Sequence, residues 1–295
     1  FNVREEGESN LYFVNLQGKI KKITTGAHML TSDPVNKEGI SAAIFSSPSN
    51  PPDLALINTK DGEIKRLTGL NDDILDFVEL GEIEELNYKS KDGTVIHGWL
   101  VKPPGFDPSK KYPMILRIHG GPHSMYHTGF NFNFQLHAAD GYLVLYTNPR
   151  GSTGYGYDFA NAIQNSYPGK DYEDLMAGVD EILERGYVDE NRLIVYGGSG
   201  GGVLTSWIIG QTDRFAAASV NYPVTNWMSF VGTTDGIGWY RNFEKYPWED
   251  PSEHIRRSPL MYVGNVKTPT MLMCGENDLR TPISQTEEYF AALQV

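Results

Sequence analysis

Apolar positions along this chain fall into two textures. Up to about residue 82 they come in short alternating runs, the period-2 pattern of half-buried strands. Residues 10–15 form an apolar run, followed by a turn at Gly18 and an alternating run ending at Ile23-Thr24. Residues 53–58 and the run from Gly62 to Leu67-Thr68 repeat that pattern, offset by about 43 residues, the length of a β-propeller blade. Between them, residues 39–45 read as an inner strand of the second blade. The first region is therefore expected to be about two blades of a propeller, a ring that closes only with about four to eight.

From residue 83 the pattern changes. A turn at residues 90–94 separates two alternating runs, a hairpin. Apolar strands are then expected at 112–118, 142–147, 193–196, 216–220 and 270–274. Helices are expected at 132–139 and 171–185, the second with Leu175, Val179, Ile182 and Leu183 on one face and Gly186 as its stop. Strands alternating with helices describe an open, mostly parallel α/β sheet. Ligands bind such sheets beyond the carboxyl ends of the strands. His119, Asn148, Ser199, Tyr222 and Asp278 all fall just after an expected strand.

Ser199 has the most telling surroundings. The apolar run 193–196 enters Gly-x-Ser-x-Gly, and residues 203–209 follow as a buried helix. Strand, tight glycine turn and helix form the context of a nucleophile elbow, where side chains beside the serine would collide with strand and helix. A serine hydroxyl needs a base and an orienting acid. Asp278, with Glu276 as the alternative, follows the 270–274 strand; Asp278 could equally cap a turn. The amides of Gly120 and Gly121, with that of Gly200, could form an oxyanion hole. Tyr222, Trp227, Phe230 and Trp239 offer an apolar pocket for a substrate side chain, although core packing is the more frequent role of such aromatics. Arg150 and Arg280 read either as loop anchors or as surface charges.

Composition narrows the partners. The 295 residues carry 40% apolar content and a net charge of −12, which argues against nucleic acid and anionic membranes. No apolar run reaches transmembrane length. Cys274 is the sole cysteine, so no internal disulfide forms; its apolar run reads as core. Phe1 follows no signal pattern, and the chain reads as beginning within a longer one. Oligomeric state and compartment are left open.

Four segments together resemble the prolyl oligopeptidase family of serine peptidases, in its acylaminoacyl-peptidase and dipeptidyl-peptidase-like branch. They are His119-Gly-Gly-Pro122, the nonapeptide Asn148-Pro-Arg-Gly-Ser-Thr-Gly-Tyr-Gly156, Gly197-Gly-Ser-Gly-Gly201 and Gly275-Glu-Asn-Asp-Leu-Arg-Thr-Pro282. The resemblance runs from about residue 82 to the last residue. It implies a propeller fragment at 1–82 and an α/β-hydrolase domain at 83–295, incomplete at its C-terminal end. It implies Ser199 as nucleophile, Asp278 as triad acid and the Gly121 and Gly200 amides as oxyanion donors. Short or acylated peptides are the implied substrates, with no metal or organic cofactor. One departure stands out. The family's catalytic histidine follows the acid, and none of the seven histidines here does. The expectation is that the base is missing from these residues and that they alone have little activity. A carboxylesterase on the same fold and a non-catalytic interaction domain are the rival readings.

Overall fold

A computed structural model describes residues 1–295. The first seven strands are β1 (Asn2–Glu5), β2 (Glu8–Val14), β3 (Ile20–Lys22), β4 (Met29–Ser32), β5 (Ile40–Ser47), β6 (Asn50–Asn58) and β7 (Ile64–Arg66). They form two antiparallel sheets, ordered β1-β2-β3 and β4-β5-β6-β7. The two sheets share a small core of Leu11, Leu30, Ala43 and Ile57. The repeated sequence pattern corresponds to the hairpins β2–β3 and β6–β7. β1 and β4 lack a clear alternation and are found only in the structure. A single helical turn, α1 (Asp72–Leu75), leads out of this region.

The remaining strands build one seven-stranded mixed sheet. They are β8 (Ile83–Lys89), β9 (Val95–Val101), β10 (Tyr112–Ile118), β11 (Leu143–Asn148), β12 (Val188–Ser199), β13 (Ala217–Pro223) and β14 (Thr270–Met273), in the order β14-β13-β12-β10-β11-β9-β8. β10 to β14 run parallel, and the hairpin β8–β9 joins β11 antiparallel. The α/β expectation is met, with the hairpin making the sheet mixed.

Helices cover both faces. α2 (Phe132–Ala139) packs Phe134 and Ala138 against Trp99, Val101, Val144 and Tyr146. Alternate strand residues, Leu100, Leu116, Leu145 and Val195 among them, point to the other face and the main core. That core includes Leu175, Val179 and Ile182 of α4 (Lys170–Glu184) and Val203, Leu204 and Ile208 of α5 (Gly200–Gln211). Residues 200–210 of α5 are buried on every side, because a 3₁₀ turn at Pro259–Asn265 covers the face turned from the sheet. The short α3 (Tyr157–Asn161), α6 (Trp227–Thr233) and α7 (Ser252–Arg256) and the closing α8 (Ile283–Leu293) complete the chain.

Two expectations are corrected. Cys274 is half-buried, not core, because β14 is an edge strand with one neighbour, and Met271 and Met273 beside it are exposed. His254, in a polar stretch of sequence that reads as a cap or surface helix, is fully buried: α7 turns it inward, where it stacks on Phe243 at 3.7 Å. Burial pushes its imidazole pKa down.

Candidate active site

The carboxyl ends of the five parallel strands carry the residues expected there. Ser199 ends the central strand β12, and α5 begins at the next residue. Its φ of 57° and ψ of −120° are a strained conformation for a residue with a side chain, costing about 1–3 kcal/mol. The neighbouring glycines hold it there through close approach. A Cβ on Gly201 would lie 2.5 Å from the Ile118 carbonyl oxygen, and one on Gly197 would lie 2.6 Å from that of Gly201. Strand and helix therefore meet backbone to backbone. The Ser199 side chain is partly accessible, and its hydroxyl makes no hydrogen bond among residues 1–295.

Gly200 faces the loop after β10. A Cβ on Gly200 would lie 2.9 Å from both the nitrogen and the carbonyl carbon of Gly121. The two glycine backbones thus touch beside Ser199. The Gly121 N–H donates no hydrogen bond within the chain, so it is free for a ligand. Gly120 lies in the same loop; its added Cβ would be 3.5 Å from the Ser199 Cβ.

The nonapeptide clamps this loop. The Asn148 amide pairs with the backbone of Tyr126, Oδ1 accepting from Tyr126 N (2.7 Å) and Nδ2 donating to Tyr126 O (3.0 Å). Ser152 Oγ lies 2.9 Å from His119 Nε2, His123 Nδ1 donates to Gly151 O at 3.0 Å, and Thr153 N donates to Ser124 O at 2.8 Å. Burial pushes the His119 pKa down to about 4, so the ring is neutral at pH 7. Arg150 is a buried anchor, not a surface charge. Its guanidinium bonds Asp174 through Nε (2.9 Å) and Nη2 (2.6 Å), and its Nη1 reaches Asp92 at 2.6 Å in the β8–β9 turn. This ties the nonapeptide to α4 and to the hairpin.

The Asp278 side is looser. Asp278 sits half-buried in the turn after β14. Its Oδ1 accepts from Arg280 N and Thr281 N, both at 2.9 Å, and its Oδ2 from Thr281 Oγ1 at 2.9 Å. Burial alone would raise its pKa; the hydrogen bonds from Thr281 and Arg280 outweigh it and lower the carboxyl below its ordinary value. Glu276 is exposed and makes no hydrogen bond. Arg280 pairs with Asp235 on the surface.

The four aromatics differ in placement. Tyr222 is 38% exposed and its ring lies over Gly198. Trp227 and Phe230 are fully buried in the main core with Trp239 packed beside them. Tyr167 joins this cluster to the elbow: it meets Trp227 edge to face, and its hydroxyl donates to Gly200 O at 2.7 Å. None of the seven histidines is hydrogen-bonded to Ser199 or Asp278. Tyr126, Tyr167 and Asp174 were not singled out in the sequence. Only the polar residues packed into the nonapeptide hinted that buried partners must exist for them.

Comparison with known proteins gives the family of the chain. Residues 128–295 match the model of the prolyl oligopeptidase family. The chain is 41% identical over 98% of its length to the uncharacterized peptidase YuxL of Bacillus subtilis (strain 168) and 34% identical over 99% to dipeptidyl-peptidase 5 of Porphyromonas gingivalis. It covers 45% and 44% of those proteins. It superposes over its whole length on 47% of the Pyrococcus horikoshii acylaminoacyl peptidase chain, with a TM-score of 0.91 and 31% identity. The chain thus spans about half the length of the relatives it matches, and it belongs to the prolyl oligopeptidase family.

Proposed function

We propose that these residues carry the nucleophile, acid and oxyanion donors of a serine peptidase acting on short or acylated peptides. The observation that carries the reading is the strained Ser199, raised at the end of the central strand, with a free Gly121 amide and the Gly200 backbone packed beside it. Ser199 Oγ attacks the scissile carbonyl and gives its proton to a histidine base oriented by Asp278. The Gly121 and Gly200 amides hold the tetrahedral oxyanion. Collapse expels the amine, which takes the proton, and water then releases the acyl group from Ser199.

The base lies outside the seven histidines of these residues, since each is engaged or buried elsewhere. Residues 1–82 act as about two blades of a β-propeller that admits short peptides, and residues 83–295 as the hydrolase domain. The two small antiparallel sheets support this division. Tyr222 borders the substrate, with Trp227 and Phe230 as buried backing behind Tyr167 and the elbow.

A fluorophosphonate probe tests the reading. In a form of the protein that turns over acylaminoacyl esters, labelling at Ser199 is expected, and Ser199→Ala abolishes both labelling and turnover. Turnover of peptide amides as well as esters separates a peptidase from an esterase. An unlabelled Ser199 in every form would leave a non-catalytic domain. Appreciable, Ser199-dependent turnover by residues 1–295 alone would overturn the placement of the base.

A further inference from the structure

Asn148 has a second partner that leads away from the site. Its Nδ2 also donates to the hydroxyl of Tyr155, at 2.8 Å. The Tyr155 hydroxyl lies 2.7 Å from His97 Nδ1 on β9, and His97 Nε2 lies 2.9 Å from Glu85 Oε1 on β8. These contacts form one line from the hairpin edge of the sheet to the loop that carries Gly121. Asn148 and His97 are buried, while Glu85 is exposed to solvent at 62% of its side chain.

The direction of every bond in the line follows from the first. Asn148 Oδ1 must accept from Tyr126 N, so the other end of its amide is the NH₂ group. That group donates to Tyr155, which therefore accepts there and has its own proton to place. The hydroxyl has no other bonded partner than His97 Nδ1. Nδ1 is then the acceptor, and Nε2 carries the ring proton and donates a hydrogen bond to Glu85 Oε1. The His97 ring also packs against Trp99, with centroids 4.3 Å apart and the planes tilted by 53°, which restricts its orientation. At the inner end, the Tyr126 ring lies edge-on to His119 at 5.3 Å, next to Gly120 and Gly121.

We infer that Asn148, Tyr155, His97 and Glu85 form a one-directional hydrogen-bond relay that positions the Gly121 loop for catalysis, with His97 held as the Nε2–H tautomer. The catalytic half of this inference rests on the serine peptidase reading; the polarity of the relay does not. These are positioning residues, acting through Tyr126 and His119 on the loop.

Two measurements test it. In residues 1–295, imidazole ¹⁵N resonances read the tautomer directly: an unprotonated, hydrogen-bonded Nδ1 at His97 is expected, with that hydrogen-bond shift lost in Tyr155→Phe. An Nδ1–H tautomer or a permanent imidazolium would overturn the polarity. In a form that turns over substrate, Tyr155→Phe is expected to lower kcat about tenfold with KM within about twofold. His97→Leu should match it, whereas His97→Asn, whose amide oxygen replaces the Nδ1 acceptor, should restore most of kcat. Unchanged kcat in Tyr155→Phe, or equal loss in His97→Asn and His97→Leu, would overturn the positioning role. If the wild type never labels at Ser199, the peptidase reading and the catalytic half fall together, and the tautomer still decides the relay.

Discussion

The two flanks of the site are held very differently. On the Ser199 side, β12 lies between two parallel neighbours, glycine backbones touch across the elbow, and Arg150 and Asp174 lock the nonapeptide from within. On the Asp278 side, β14 is an edge strand, its methionines are exposed, and the Asp278 carboxylate is fixed only by bonds within its own turn. The proposed nucleophile is thus positioned by long-range packing and the proposed acid by local hydrogen bonds. Substitutions should separate the two: deep ones on the first side cost much, and surface ones on the second cost little.

The sharpest way to break the contrast is Asp174→Ala. It leaves the Arg150 guanidinium buried with only Asp92 as a charged partner, and about 3–5 kcal/mol of stability should be lost in urea denaturation. A loss below 1 kcal/mol would show that the nonapeptide does not depend on its anchor.

Asp171, near the start of α4, sharpens the same side through pH. It is 1% exposed, its Oδ2 lacks a partner, and burial raises its pKa to about 7 from the ordinary 3.8. A raised folded-state pKa means the folded form holds the proton more tightly. The associated stability is present below the unfolded value and lost as pH rises through the folded one. Asp171→Asn, which keeps the acceptor for Gly169 N, should therefore gain on the wild type by up to about 1.4 kcal/mol per pH unit between pH 4 and 7. Parallel thermal melts at pH 4.5 and 7.5 check the sign; an advantage that shrinks with rising pH would refute it.

Gly200→Ala comes next. Its Cβ would press on Gly121, and a loss of about 1–2 kcal/mol, with slower phosphonate labelling in a labelling-competent form, is expected. At the bottom of the scale, Arg280→Ala removes an exposed pair with Asp235 and should leave the urea denaturation midpoint essentially unchanged. A larger effect would mean that this side-chain pair holds the Asp278 turn beyond the bonds from Thr234 Oγ1 to Arg280 O and from Asp235 N to Leu279 O that already tie it down.

Much of the parallel sheet was legible because buried parallel strands are written as near-continuous apolar runs. The 112–118 strand and the 132–139 helix have the observed bounds, and the elbow strand was recognised only in its apolar part, 193–196 of Val188–Ser199. Local chemistry likewise marked Ser199 and the Gly120–Gly121 loop, since glycine-rich turns at strand ends let backbones approach closely. The strands β1 and β4 and the helix α6 carry no clean period and emerged only in three dimensions.

What the amino-acid order determined by itself, then, was which residues stand at the ends of strands, because side-chain period and glycine placement are local properties. Partnership was decided by tertiary structure alone. Arg150 and Arg280 read alike as loop arginines, yet one meets Asp174 in the interior and the other Asp235 at the surface. His254 reads as polar and is buried, while Cys274 reads as core and sits at an edge. The physical reason is the same throughout: burial and hydrogen-bond partners depend on elements distant in sequence, and only the packed sheet brings those elements together.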